Sequence, residues 1–136
     1  MNPSVAAPQR AAFPDYPFTP QRFEVRQGLA MSYLDEGPRD APPVVMVHGN
    51  PSWSYYYRKL VLALRDTHRC VVPDHIGMGL SDKPDDATDA APRYDYTLSS
   101  RIDDLDALLE HAGVHEKVTL VVHDWGGMIG FGWAMR

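Results

Sequence analysis

Cysteine is nearly absent: Cys70 stands alone among 136 residues. One thiol excludes an internal disulfide framework and fits a reducing compartment, which points to the cytoplasm. Positive charge is also short. Lys and Arg number 13 against 18 Asp and Glu, a formal charge of -5. Without a basic stripe, such a chain is not built to bind nucleic acid. No apolar run approaches the ~20 residues that a membrane helix needs. The start also lacks the apolar stretch of a signal peptide. Instead Pro3, Pro8, Pro14, Pro17 and Pro20 block regular helix there. Residues 1–20 are therefore expected to form an extended proline-rich arm, with a single core over 21–136.

What is present alternates between two periods. Arg22–Gln27 and Ala30–Asp35 read as a hairpin about Gly28-Leu29. Val44-Val45-Met46-Val47 is unbroken apolar sequence, the pattern of a strand covered on both faces. A helix is expected to start near Ser52 or Ser54, either of which could cap it. Tyr57, Leu60, Val61 and Leu64 then fall on one helical face. Cys70-Val71-Val72 reads as a second buried strand, followed by a long polar stretch from Asp74 to Asp95. Leu98, Ile102, Leu105, Leu108 and Leu109 mark another helix, capped by Thr97 and stopped by Gly113. Asp103, Asp104 and Asp106 fall largely off that stripe and read as a solvated face. Val118–Val122 is a third buried strand, and an apolar helix begins at Met128. Buried strands alternating with helices predict βαβ units and a mostly parallel sheet with flanking helices.

Ligands of open parallel sheets sit at the carboxyl ends of strands. Three such ends carry polar residues here: His48–Pro51, Pro73–Gly77 and His123–Gly127. The last has the form of a nucleophile elbow, a tight strand-turn-helix that lifts one side chain above the sheet. Gly126 and Gly127 supply the small residues that such a turn favours. Val122 departs from the G-x-S-x-G pattern, and the apex is Asp124 in place of serine. A carboxylate is ionised near neutral pH and can attack saturated carbon directly, giving an alkyl-enzyme ester. The helix N-terminus beyond it offers free N–H groups and a positive dipole end.

Three motifs carry a resemblance: VHGNPSWSYYYR at Val47–Arg58, VPDHIGMGLSDKP at Val72–Pro84 and LVVHDWGGMIGFGWA at Leu120–Ala134. Val44–Arg136 resembles the first half of an α/β-hydrolase of the haloalkane dehalogenase type. The resemblance implies an N-terminal half of that fold, truncated after the elbow, without the cap domain that shapes the pocket. It implies Asp124 as nucleophile and Asn50 and Trp125 as donors that hold a leaving anion. The backbone N–H groups of Asn50 and Trp125 match the family's oxyanion hole. The family's catalytic histidine and third carboxylate come later in the chain, and no Asp, Glu or His follows Asp124. The chain by itself is therefore expected to be inactive.

Within the family, the PDHIGMGLSDKP run, RYDYTLSSRIDDLDALL at Arg93–Leu109 and GGMIGFGWA at Gly126–Ala134 resemble the branch that decarboxylates β-lactones in bacterial long-chain olefin biosynthesis. That implies a small hydrophobic substrate, a cis-β-lactone converted to a cis-alkene and carbon dioxide. It also implies a complex with the other olefin-pathway enzymes, and no cofactor. Hydrolytic dehalogenation of haloalkanes is the main alternative. Epoxide hydrolysis stays open, although Asn50 stands where those enzymes usually place an aromatic residue. A non-catalytic truncated fragment is the competing reading from outside enzymology.

Plainer roles compete at each position. Asp124 could simply cap a helix, Asn50 could be a turn residue before Pro51, and Trp125 could be core packing. His48, His75 and His123 read as structural. His111 and His115 are four apart, but Gly113 ends the helix between them and no third ligand is near, so no metal site is expected. Gly127, Gly130 and Gly132 suit close helix–sheet packing. One or two of Tyr55, Tyr56 and Tyr57 belong in the core. Asp82, Asp85, Asp86 and Asp89 read as a solvated loop, and Cys70 as inert packing.

Overall fold

The computed structural model describes residues 13–84 and 92–136. Asp85, Asp86, Asp89 and the first twelve residues of the proline-rich stretch lie outside them. Five strands form one sheet: β1 (Gln21–Arg26), β2 (Leu29–Glu36), β3 (Pro43–Val47), β4 (Arg69–Pro73) and β5 (Thr119–Val122). Their spatial order is β1-β2-β4-β3-β5. β2 pairs antiparallel with both β1 and β4, whereas β3 pairs parallel with β4 and β5. Only β2 thus runs against the rest, and the parallel part of the sheet is the part that carries the site.

The alternation of β3 explains its unbroken apolar run. Val45 and Val47 join Val71, Leu105, Leu108, Leu109 and Ile129 in one core. Val44 and Met46 join Cys70, Val72, Tyr57 and Val61 in the other. Each face needs its own helices, so the strand is apolar at every position. The first core is covered by α2 (Leu98–Ala112) and α3 (Trp125–Ala134), the second by α1 (Arg58–Leu64). Tyr16 and Phe18 are buried in the second core as well. α2 begins and ends as its sequence predicts: Thr97 accepts the Ser100 N–H at 3.1 Å, and Gly113 closes the helix at φ 70°. Among the described residues no helix is long and apolar enough to cross a membrane.

Several expectations change. Neither Ser52 nor Ser54 caps α1. The chain enters through a 3-10 turn, Ser54–Tyr57, with no side-chain cap. Ser54 is buried instead, its hydroxyl 2.6 Å from the Tyr16 hydroxyl and its N–H donated to Asp74 at 2.6 Å. Asp104 is not solvated. It is buried, accepting from the Tyr94 hydroxyl at 2.6 Å and from Arg26 Nε at 2.8 Å. Asp82 also finds partners, the Arg22 guanidinium and the Ala30 N–H. The stretch read as polar buries Asp74, His75, Ile76 and Ser81. β5 is only half-buried, because β3 is its one neighbour among the described strands.

Candidate active site

Register brings the site together. β3 and β5 pair with Val44 opposite Thr119 and Val47 opposite Val122. Both chains therefore leave the sheet at the same level, and the loop after Val47 meets the turn after Val122. The first is His48-Gly49-Asn50-Pro51, the second His123-Asp124-Trp125.

Asp124 stands at the apex with φ 55° and ψ -130°. This conformation is costly for a residue with a Cβ, and it persists only where the surroundings impose it. Here the Gly126 and Gly127 N–H groups bond back to the His123 and Asp124 carbonyls, each at 2.9 Å. Asp124 holds the capping position of α3, yet its side chain does not cap the helix. It is turned across to the other loop, where Oδ2 accepts the Asn50 N–H at 2.9 Å. The N–H groups of Asn50 and then Trp125 hold its carboxyl below the usual carboxylate range. The Asp124 carboxylate is thus ionised and exposed, with no salt bridge among the described residues.

Two glycines make this approach possible. A Cβ on Gly49 would lie 2.4 Å from the Asp124 Cβ and 2.7 Å from Oδ2. A Cβ on Gly126 would lie 2.0 Å from the Val47 carbonyl oxygen. Gly127 differs: its nearest neighbour would be Val122 Cγ2 at 3.9 Å, so the elbow does not require a glycine there. Gly130 faces Val122 as helix–sheet packing demands, but Gly132 packs against Ile102 of α2.

Behind the elbow lies a set of buried polar groups. His48 Nδ1 donates to the Gly49 carbonyl at 2.8 Å while its Nε2 accepts the His75 N–H at 3.0 Å. In return His75 Nε2 donates to the His48 carbonyl at 2.8 Å. Burial pushes His48 down to about 4 and holds His75 well below its usual value. Both rings are neutral and used up in joining the loops, so neither is a proton shuttle. Asp74 was not singled out in the sequence, yet it is the hub of this set. Its carboxylate accepts the Ser54 N–H at 2.6 Å and the Leu80 N–H at 2.9 Å, and its carbonyl accepts the Ser81 hydroxyl at 2.6 Å. Burial pushes its carboxyl up, against the pull of those N–H groups.

The open side is a cavity of about 310 Å³ lined by Gly49, Asn50, His75, Met78, Tyr96, Leu98, Arg101, Trp125 and Ile129 among others. Asn50 and Trp125 are thus both at the crevice. Trp125 is 46% exposed in this chain. His123 is exposed and stacks on Tyr56 with ring centroids 4.6 Å apart. Tyr57 is the core tyrosine, its hydroxyl donated to the Val47 carbonyl at 2.9 Å. Cys70 is buried, its thiol pushed up to about 11, which keeps it inert. His111 is taken up in stacking on Phe23 at 4.2 Å, and His115 lies 3.5 Å from Glu110. Gly49, Asp74 and Arg101 are the site residues that sequence reasoning missed. A glycine following a buried strand was the one signal on offer, for Gly49.

Comparison with known proteins agrees with this fold. The family described as alpha/beta hydrolase fold matches residues 42–136. A cis-3-alkyl-4-alkyloxetan-2-one decarboxylase of Xanthomonas campestris is 70% identical over 123 residues, covering 90% of this chain and 41% of the relative. A haloalkane dehalogenase of Psychrobacter cryohalolentis is 42% identical over 125 residues, covering 88% and 39%. Among solved structures, the haloalkane dehalogenase DpaA of Paraglaciecola agarilytica superposes with a TM-score of 0.76 at 36% identity, covering 90% of this chain and 40% of that one. The chain thus spans about 40% of the length of these relatives.

Proposed function

The chain belongs to the alpha/beta hydrolase fold family, and from that premise we propose that Asp124 is the nucleophile of an enzyme that decarboxylates cis-β-lactones to cis-alkenes. One observation carries the nucleophile: the exposed Asp124 carboxylate has Oδ2 held by the Asn50 N–H, which leaves Oδ1 to attack. The 70% identity to a relative named for oxetan-2-one decarboxylation supports the lactone as substrate.

Attack by Oδ1 on the ring carbon that bears oxygen breaks that carbon–oxygen bond and opens the strained ring. The electron pair goes to the ring oxygen, so a carboxylate appears on the neighbouring carbon. The Asn50 amide and the Trp125 indole N–H are donors to this leaving anion, and neither adds a competing charge. Loss of carbon dioxide then returns its bonding pair as the new double bond, and Asp124 departs with its own pair. Attack inverts the carbon and anti elimination follows, so the cis arrangement of the lactone becomes a cis-alkene. Water does not enter this sequence. Haloalkane hydrolysis, the alternative, uses the same first step but needs water and a base to release the ester.

In the chain alone the crevice is open at Trp125, Met128 and Phe131. A hydrated carboxylate is a weak nucleophile, so the isolated chain is expected to be inactive. The reading also puts the protein in the cytoplasm, beside the enzymes that form its lactone.

Turnover of a cis-3,4-dialkyl β-lactone and of a 1-bromoalkane tests the proposal, with the complete protein and the chain alone. Alkene and carbon dioxide are expected from the complete protein only. Asp124→Ala is expected to lower alkene formation at least about a thousandfold. Undiminished alkene from Asp124→Ala would remove it as nucleophile. Bromide release without alkene would assign the dehalogenase instead.

A further inference from the structure

The first turn of α2 and the loop that enters it form one wall of the crevice, through Tyr96, Leu98 and Arg101. Arg101 is half-buried there. Its Nη1 donates to the Ile76 carbonyl at 2.6 Å. The guanidinium also lies 5.2 Å from the centroid of the Tyr94 ring and 5.3 Å from that of Tyr96. The two rings stand edge-on to one another at 4.9 Å, and Tyr96 packs over Gly77.

These contacts fix the side chain without neutralising it. Fully buried arginines are paired with a carboxylate; Arg101 is only half-buried, and among the described residues it has no carboxylate partner. The buried carboxylate beneath its aromatic clamp, Asp104, is already taken by Arg26 and the Tyr94 hydroxyl. The positive charge is felt inward as well, where it adds to burial in keeping His48 and His75 neutral. With Nη1 engaged by Ile76, the edge formed by Nη2 and Nε is left over. Such an edge matches the two oxygens of a carboxylate. Met78, Leu98 and Ile129 supply apolar lining in the same cavity.

We propose that Arg101 is a carboxylate-binding group in the crevice, taking the head of an alkanoate whose chain lies along Met78, Leu98 and Ile129. Its place in turnover rests on the lactone reading above. Ring opening by Asp124 breaks the carbon–oxygen bond and leaves a carboxylate tethered to the adjacent carbon, and Arg101 holds that carboxylate as it forms. Loss of carbon dioxide discharges the ion pair. The steps consume one lactone and yield one alkene and one carbon dioxide, with no proton, water or oxidant required. A halide leaving group has no use for a planar two-donor edge, so Arg101 is a specificity element for the lactone.

Decanoate and 1-decanol, as ligands of the complete protein, test this by tryptophan fluorescence. Arg101→Gln removes the charge and keeps an N–H for the Ile76 carbonyl, and Arg101→Lys keeps the charge without the fork. Decanoate is expected to bind at least tenfold more weakly to Arg101→Gln and to recover in part in Arg101→Lys. Decanol binding is expected to stay constant, and kcat/KM for the lactone to fall at least tenfold in Arg101→Gln. Unchanged decanoate binding by Arg101→Gln, or no decanoate binding by the unsubstituted protein, overturns the proposal. If decanol binding falls as well, Arg101→Lys decides: decanoate binding no better than in Arg101→Gln overturns it. Charge-dependent decanoate binding without alkene would sink the lactone reading and leave the subsite standing. Alkene formation with indifferent decanoate binding would do the reverse.

Discussion

The two sides of the crevice are built by opposite means. On the side of β3 and β4, His48, His75, Asp74, Ser54 and Ser81 are buried and bonded to one another or to loop backbone. On the side of β5 and α3, Asp124 is open, and Trp125, Met128, Phe131 and Met135 are exposed in this chain, which spans about 40% of its relatives' length. The contrast separates a buried support from an open turn. A buried network fixes the Asn50 N–H in space, and that N–H in turn fixes an exposed carboxylate on a strained turn. The Asp124 turn needs little local stability of its own, because a rigid neighbour holds it.

Substitutions at the contact between the two sides test this most severely. Gly126→Ala sets a Cβ against the Val47 carbonyl, a backbone atom that cannot step aside. A loss above ~4 kcal/mol, or no soluble protein, is expected in urea unfolding of the complete protein. A fully stable variant would mean that the sides are not in register. Next comes the buried support. Asp74→Ala leaves the Ser54 and Leu80 N–H groups without their acceptor. Each orphaned donor costs ~1–3 kcal/mol, so a loss of about 3–4 kcal/mol is expected. Thermal unfolding measures it.

Acid should reach the same support. His48 titrates near 6.5 when unfolded and near about 4 when folded. Between those values the unfolded chain binds the extra proton, so stability falls as pH falls through that window. For His48 the loss is on the order of 3 kcal/mol, measurable as a shift in urea midpoint between pH 7 and pH 4.5. A flat profile would break the assignment of neutral rings. The smallest effect has the opposite sign. Gly127→Ala meets only an ordinary contact with Val122 Cγ2 at 3.9 Å and should stabilise by ~0.5–1 kcal/mol, measured as a small rise in Tm. Destabilisation there would show that the exposed side is tighter than it looks.

Much of the framework was legible because apolar periodicity is a local signal. Val44–Val47 and the Leu98–Leu109 stripe declare their elements, and Thr97 and Gly113 declare the ends of α2. The Asp124 turn was legible for the same reason: strand, apex and Gly126 are contiguous. Tertiary pairing was not. Asp104 sits on a run of acids that reads as solvated until Arg26 and Tyr94 arrive from elsewhere in the chain. Asp74 and Gly49 depend on loops that only the folded sheet brings side by side. β5 carries the apolar signature of an interior strand, and burial differs because it has one neighbour among the described strands.

The bond from the Asn50 amide to Asp124 spans 74 positions of sequence. Its two ends come level only through the parallel pairing of β3 with β5, a contact of long loop closure and slow formation. The Asp124 carboxylate therefore meets its holder late. Until β5 docks beside β3, the Asp124 oxygen and the Asn50 N–H that holds it stay apart.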